Sequence, residues 1–194
     1  MKKTLLLVFV LSICTFSFAQ HAQFGIKGGL NAARFSVEGA DEDDIKSRIG
    51  FHVGALAHIH LNRNWALQPE VIYSQQGMIQ KLGNNEYEWK TNYVNIPVML
   101  QYMFRGGFRV QAGPQLGVLA TAELEDQQTN TDVDLEDNIK NIDVSLPIGI
   151  GYMAPSGFGI DARYNIGLSN INESGANEIR NRVFQVGIFY QFRR

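Results

Sequence analysis

VFQVGIFYQF, residues 183–192, alternates without a break. Phe184, Val186, Ile188, Tyr190 and Phe192 fall on one face of an extended chain. Val183, Gln185, Gly187, Phe189 and Gln191 fall on the other. A period of two over ten residues predicts a β-strand, because successive side chains of a strand point to opposite faces. What the all-apolar face touches decides the fold. In a soluble sheet it meets a core. In a transmembrane barrel it meets lipid, and the interior is the polar side.

The other end of the chain bears on the compartment. MKKTLLLVFVLSICTFSFAQ (1–20) carries Lys2 and Lys3, an apolar run from Leu5 to Ile13, and the small residues Ser17 and Ala19 at −3 and −1 of a cleavage point. This pattern predicts a secretory signal peptide over 1–19, cleaved after Ala19. The apolar run is shorter than the roughly 20 residues a spanning helix needs. Cys14 invites a lipoprotein reading, but the bulky Ile13 before it argues against one. The expected mature domain, 20–194, has no cysteine, so an exported chain forgoes disulfides. Losing Lys2 and Lys3 takes the formal net charge from −2 to −4, which gives no electrostatic case for nucleic acid. A barrel strand needs only about 10 alternating residues, so the lack of a second long apolar run does not exclude a membrane.

The same alternation predicts seven further strands, near 24–33, 50–61, 65–76, 91–104, 107–119, 140–153 and 157–168. The connections alternate long and short. Long loops are expected at 34–49, 77–90, 120–139 and 169–180, and tight turns at Asn62-Arg63-Asn64, Arg105-Gly106 and Ala154-Pro155-Ser156. Eight antiparallel strands with all tight turns at one end describe an all-β, up-and-down transmembrane barrel with short periplasmic turns and four longer extracellular loops.

The two parities have different chemistry. The apolar one carries no charge in any strand, as expected where an Arg or Lys at the bilayer midplane costs about 2–4 kcal/mol. Its strand ends at the turn side are aromatic: Phe24, Trp65, Tyr102, Phe104, Phe108, Tyr152, Phe158, Tyr190 and Phe192. These are expected to form an interfacial girdle. The other parity holds Lys27, His52, His58, His60, Gln68, Glu70, Asn95, Gln101, Arg109, Gln111, Gln115, Asp143, Asp161, Arg163 and Asn165 among many glycines. Glycine weakens a strand and is useful where space is scarce. Eight strands enclose an interior just wide enough for side chains, so this face is expected to be a filled polar lumen.

Pro69, Pro97, Pro114 and Pro147 all fall inside strands. A closed barrel has no edge to hide a missing donor, so bulges or lost hydrogen bonds are expected near them. With LQPEVIYSQQG (67–77), VNIPVMLQY (94–102), VQAGPQLGVL (110–119), ARYNIGLSNI (162–171), GIKGGLNAARFS (25–36) and the closing NRVFQVGIFYQF, the mature chain resembles the PorT-like outer-membrane β-barrel family of Bacteroidetes-type bacteria. The resemblance implies an eight-stranded barrel in the outer membrane and little about activity. In one departure, Arg193 and Arg194 follow the terminal aromatic Phe192.

Lys27, Glu70, Arg109, Asp143, Asp161 and Arg163 balance three positive against three negative charges on the lumen face, with Asp143 nearer the outer end. Buried charges need partners, so a structural salt-bridged plug is expected. His52, His58 and His60 share a face, but His52 stands at the far end, so no metal site is expected. DVDLEDNIKNID (132–143) has Asp137 where a calcium loop needs its sixth-position glycine, and reads as a solvated acidic loop. His52, Asp143 and Ser169 at the outer rim lie on different strands, and nothing in the sequence brings them together as a catalytic set. Phe35, Tyr87 and Trp89 are expected in outer loops, suited to partner contact. The reading is therefore a non-enzymatic outer-membrane barrel with no cofactor, in a structural, interaction, envelope-assembly or secretion-accessory role. Its expected partners are lipid and a protein held by the loops, and the barrel is expected to be monomeric. The competing readings are a soluble, lipocalin-like periplasmic barrel binding an apolar ligand, and a barrel enzyme with its site at the outer rim.

Overall fold

The computed structural model describes residues 22–37, 45–82, 85–126, 131–134, 139–172 and 178–192. Among them the chain forms β1 (Ala22–Val37), β2 (Ile45–His60), β3 (Trp65–Leu82), β4 (Asn85–Met103), β5 (Phe108–Ala112), β6 (Gln115–Asp126), β7 (Thr131–Asp134), β8 (Ile142–Met153), β9 (Phe158–Gly167) and β10 (Ile179–Gln191). Every pairing is antiparallel, and each stave pairs with its sequence neighbour. β5 and β6 act as one stave, pairing in turn with the same partners, β4 and β8. The ring closes where β1 meets β10, from Gly25↔Gln191 to Val37↔Ile179 in a single register. Eight staves thus form an up-and-down barrel, and β7 is a short addition on the end of β6.

The parity expected from the sequence is the one observed. Phe184, Ile188 and Phe192 are 47%, 56% and 48% exposed, whereas Gln185 and Gln191 between them are 4% and 2% exposed. The apolar face of every stave points outward, and the polar face fills the interior. A lipocalin-like arrangement requires the reverse, so that alternative does not describe this chain.

The three tight turns lie at one end. Asn62 Oδ1 accepts from the amides of Asn64 and Trp65, both at 2.9 Å, and so fixes the first turn. The other two share a design, with Phe104 N–H donating to Phe108 O and Ala154 N–H to Phe158 O. Gly106, Gly107 and Gly157 have φ of 94°, 95° and 92° there, a left-handed conformation that only glycine adopts cheaply.

The other end departs from expectation. Residues 77–82 and 85–90 are strand rather than loop: β3 and β4 stay paired from Gly77↔Lys90 to Leu82↔Asn85. β1 and β2 likewise run into the expected 34–49 loop, and β6 and β7 into 120–139. The prolines act as predicted at two places. The stave 107–119 breaks at Gly113-Pro114, where Gly113 N–H donates to Pro147 O and Val98 N–H to Pro114 O. The β3–β4 ladder lapses between Pro69↔Val98 and Ile72↔Asn95, beside Pro97. Two register shifts, between Ser47 and His52 and between Asn92 and Tyr93, lie near the outer end instead. They are bulges, each with one extra residue in one strand, and a bulge swaps the faces beyond it.

Candidate functional site

The lumen is the one place where the fold gathers chemistry from many strands. Arg163 on β9 donates to both Glu70 oxygens on β3, Nη1 to Oε2 at 2.7 Å and Nη2 to Oε1 at 2.6 Å. In a ring of eight staves β3 and β9 stand four apart, so this two-pronged pair spans the diameter. Lys27 on β1 reaches Asp161 Oδ2 at 2.8 Å and Glu70 Oε2 at 3.6 Å. Arg163 Nη2 also meets Asp161 Oδ2 at 3.2 Å. Two cations and two carboxylates, all nearly inaccessible, thus form a neutral square. Such a pair is held in place because its Coulomb gain offsets desolvation only with good geometry and further hydrogen bonds. Gln68 Nε2 supplies one to Glu70 Oε1 at 2.7 Å, and Gln68 Oε1 in turn bonds the His58 ring at 3.1 Å.

Arg109 lies outside the square. Its guanidinium sits 5.4 Å from the centre of the Phe189 ring and donates to Gln101 Oε1 at 3.4 Å. No carboxylate pairs with it among the described residues. Asp143 stands apart as well, near the outer end, accepting from Ser169 Oγ at 2.7 Å. The six charged residues therefore divide into a square of four and two separate singles.

Above the square, Asn31 ties three walls together. Its amide donates to Ser74 Oγ and Gln75 O, and its oxygen receives Gln185 Nε2 and bonds the His52 ring. His52 and His58 serve different networks, and His60, on the lumen parity, is exposed at the turn end, its ring 4.6 Å from that of His58. No group of three His, Cys, Asp or Glu able to hold a metal occurs among the described residues.

At the outer end the interior turns apolar. Phe35, Met78, Ala122, Ile139 and Ile171 form a buried cluster, with Ile45, Trp89, Leu119 and Ile179 packed against it. Phe35 and Trp89 are thus part of an internal cap rather than surface aromatics for a partner. Phe35 continues the inward parity of Lys27, Asn31 and Ala33, a signal that was present in the sequence. Leu119 keeps the inward parity of Gln115 and Gly117, and Ala122 joins it inside because the bulge opposite Asn92 shifts the parity of β6. Of the rim trio, Asp143 and Ser169 do meet, contrary to expectation. His52 does not join them.

Outside, the aromatics of the turn end touch in two arcs. Trp65, Tyr102, Phe104 and Phe108 follow one another at 5.0, 4.8 and 5.5 Å between ring centres. Phe158, Tyr190 and Phe192 do so at 5.4 and 5.5 Å. Phe24 and Tyr152 are exposed on the same outward face.

Known structures share this architecture. The attachment invasion locus protein Ail of Yersinia pestis aligns with a TM-score of 0.51 at 13% identity, over 89% of this chain and 99% of that one. Neisserial surface protein A aligns with a TM-score of 0.55 at 13% identity, over 88% of this chain and 99% of that one. At such identities the likeness is one of fold. No curated protein matches the sequence. A family model described as "Outer membrane protein beta-barrel domain" matches residues 18–173, which is broader than the PorT-like resemblance. This chain belongs to that outer-membrane β-barrel family.

Proposed function

We propose that the protein is a non-enzymatic outer-membrane barrel with a plugged lumen, working as a structural or interaction partner in envelope assembly or secretion. The observation that carries this reading is the Arg163–Glu70 pair across the diameter. A conducting barrel needs a continuous wet path, whereas here paired charges occupy the middle and an apolar cluster occupies the outer end. Porins with 16–18 strands leave an aqueous channel, and eight strands do not.

In this reading residues 1–19 are a cleaved export signal and 20–194 the barrel. The PorT-like motifs support the finer family. The turn end with its aromatic arcs faces the periplasm, and Tyr190 and Phe192 mark the lower edge of the lipid. The extended hairpins of the outer end meet a protein partner, and the barrel itself is a monomer. The square of Lys27, Glu70, Asp161 and Arg163 is structural, as are Arg109 and Asp143.

Planar-bilayer recording of the refolded protein tests the plug. Silent membranes are expected, and reproducible single-channel steps would overturn it. Photo-cross-linking in intact cells from the outer-end position Arg180 tests the interaction role. A discrete protein adduct is expected, and adducts to lipid alone would remove it.

A further inference from the structure

At the end opposite the tight turns, the outward side of β1 and β10 changes character. Asn181 and Val183 on β10 point inward and are buried, so Arg180 and Arg182 point outward. On β1, Ala33 and Phe35 are buried, so Arg34 and Ser36 point outward. The register sets Arg34 opposite Arg182 and Ser36 opposite Arg180. Ser36, Glu178, Arg180 and Arg182 line an open pocket of about 250 Å³ on this outer wall. At about 30 Å³ for each water, it has room for a phosphoryl group and its nearest waters. Three observations say what it takes.

The first concerns charge. Like charges directly opposite on neighbouring strands are destabilising, and an anion held against the Arg34–Arg182 pair relieves that. The Arg182 guanidinium makes no hydrogen bond or ion pair among the described residues. Arg180 Nη2 donates to Glu178 Oε2 at 2.6 Å, but both side chains are half-exposed, at 50% and 51%. Such exposed pairs are weak.

The second concerns donors. Arginine presents five N–H groups in a planar fork that matches phosphate oxygens two at a time. One bond to Glu178 leaves most of the Arg180 fork unused. The Ser36 hydroxyl adds a donor from the facing strand.

The third concerns height. Phe184 follows Arg182 on the outward face, and from Phe184 to Phe192 that face holds no charge. Ile49 and Leu168 are exposed on the flanking staves. At about 3.4 Å per residue, Arg182 stands about 7 Å along the strand from Phe184. The pocket thus begins where the apolar belt ends, at the level where lipid chains give way to headgroups.

We propose that this pocket binds the phosphate of a lipid headgroup, gripped by Arg180 and Arg182 with the Ser36 hydroxyl as a third donor. A phosphate monoester carries close to two negative charges and three terminal oxygens, enough for both forks and the hydroxyl. The acyl chains of the lipid lie on the apolar face beyond Phe184. The headgroup straddles the β1–β10 seam and so clamps the first strand to the last. It occupies the wall and not the hairpin tips, so a lipid adduct from Arg180 accompanies a protein adduct there and does not replace it.

The test folds the full mature barrel into micelles of an uncharged detergent and follows thermal unfolding as dioctanoyl phosphatidic acid is added. At about 100 times its Kd, Tm is expected to rise by about 5–10 °C. Dioctanoylglycerol, with the same chains and no phosphate, is expected to give no rise, and inorganic phosphate a much smaller one. Arg180→Gln and Arg182→Gln are each expected to raise the half-saturating concentration about tenfold, and either variant suffices if the other does not fold. Glu178→Gln, which frees Arg180, is expected to lower it. Glu86→Gln makes the same charge change at the exposed Lys46–Glu86 pair and is expected to leave it unchanged. Equal rises with phosphatidic acid and dioctanoylglycerol would overturn the proposal, as would a rise that survives both arginine substitutions. A full rise with inorganic phosphate alone would overturn the lipid as its source.

Discussion

Glu70 is the anionic centre of the charged network: it accepts from Arg163 twice and from Gln68, and lies 3.6 Å from Lys27. Glu70→Gln leaves two cations facing Asp161 alone. Breaking a buried pair by removing one partner costs about 3–5 kcal/mol, and urea unfolding in lipid vesicles should read a loss of that order. The pair itself need not be a large net source of stability. The double variant Glu70→Met, Arg163→Met should therefore recover much of the loss, because no charge is then left unpaired. Phe35→Ala is a different kind of change. It removes a ring from the cap and leaves a cavity, at about 3–5 kcal/mol. The same urea titration should show it, with the emission of Trp89 moving to the red as water reaches its neighbours.

At the scale of the strand, most of what positions the lumen was legible from alternation alone. Lys27, Glu70, Asp161 and Arg163 sit inside because each shares the parity of glycine and polar residues, and no tertiary contact was needed to see it. The pairing partners were not legible, because parity gives a face and not a height or a bearing around the ring. Arg109 was grouped with the paired charges for that reason, whereas Asp143 was already placed nearer the outer end. The hairpin beyond Gly77 was missed for another. Glycine and asparagine near its tip read as loop chemistry, while Gly77, at φ 132°, lies where an added Cβ would come within 1.8 Å of Trp89 O. It is a close approach inside a ladder. The apolar cap was missed because Phe35, Met78, Trp89 and Ile171, which keep the inward parity of their strands, lie in stretches read as loops; only Ala122 and Ile45 owe their facing to the bulges. Turn chemistry, by contrast, can be tested directly. A Cβ on Gly157 would meet Gln191 O at 2.7 Å, and the backbone is left-handed there. Gly157→Ala should cost about 1–2 kcal/mol, read as a lower urea midpoint at unchanged slope, whereas Ser156→Ala beside it should be within about 0.5 kcal/mol of the parent.

For the molecule as a whole, the two tryptophans report on inside and outside. Trp65 is exposed in the aromatic arc at the turn end, and Trp89 packs against the cap. In vesicles of brominated lipid, single-tryptophan variants should separate cleanly. The protein retaining Trp65 should be strongly quenched, and the one retaining Trp89 should keep most of its emission. Equal quenching would mean that the outer hairpins lie in lipid.

The β1–β10 seam sets a condition on time rather than on energy. Gly25 meets Gln191 across nearly the whole length of the chain, and contacts so distant in sequence form late and slowly. Until they form, β1 and β10 are two bare edges, each a template for a foreign strand. A chain leaving a ribosome or a translocation pore cannot close the ring until its last strand has emerged. The nascent barrel therefore spends its most vulnerable interval complete in sequence but open in structure. Its survival in a crowded compartment depends on how briefly that interval lasts and on what shields the two edges meanwhile.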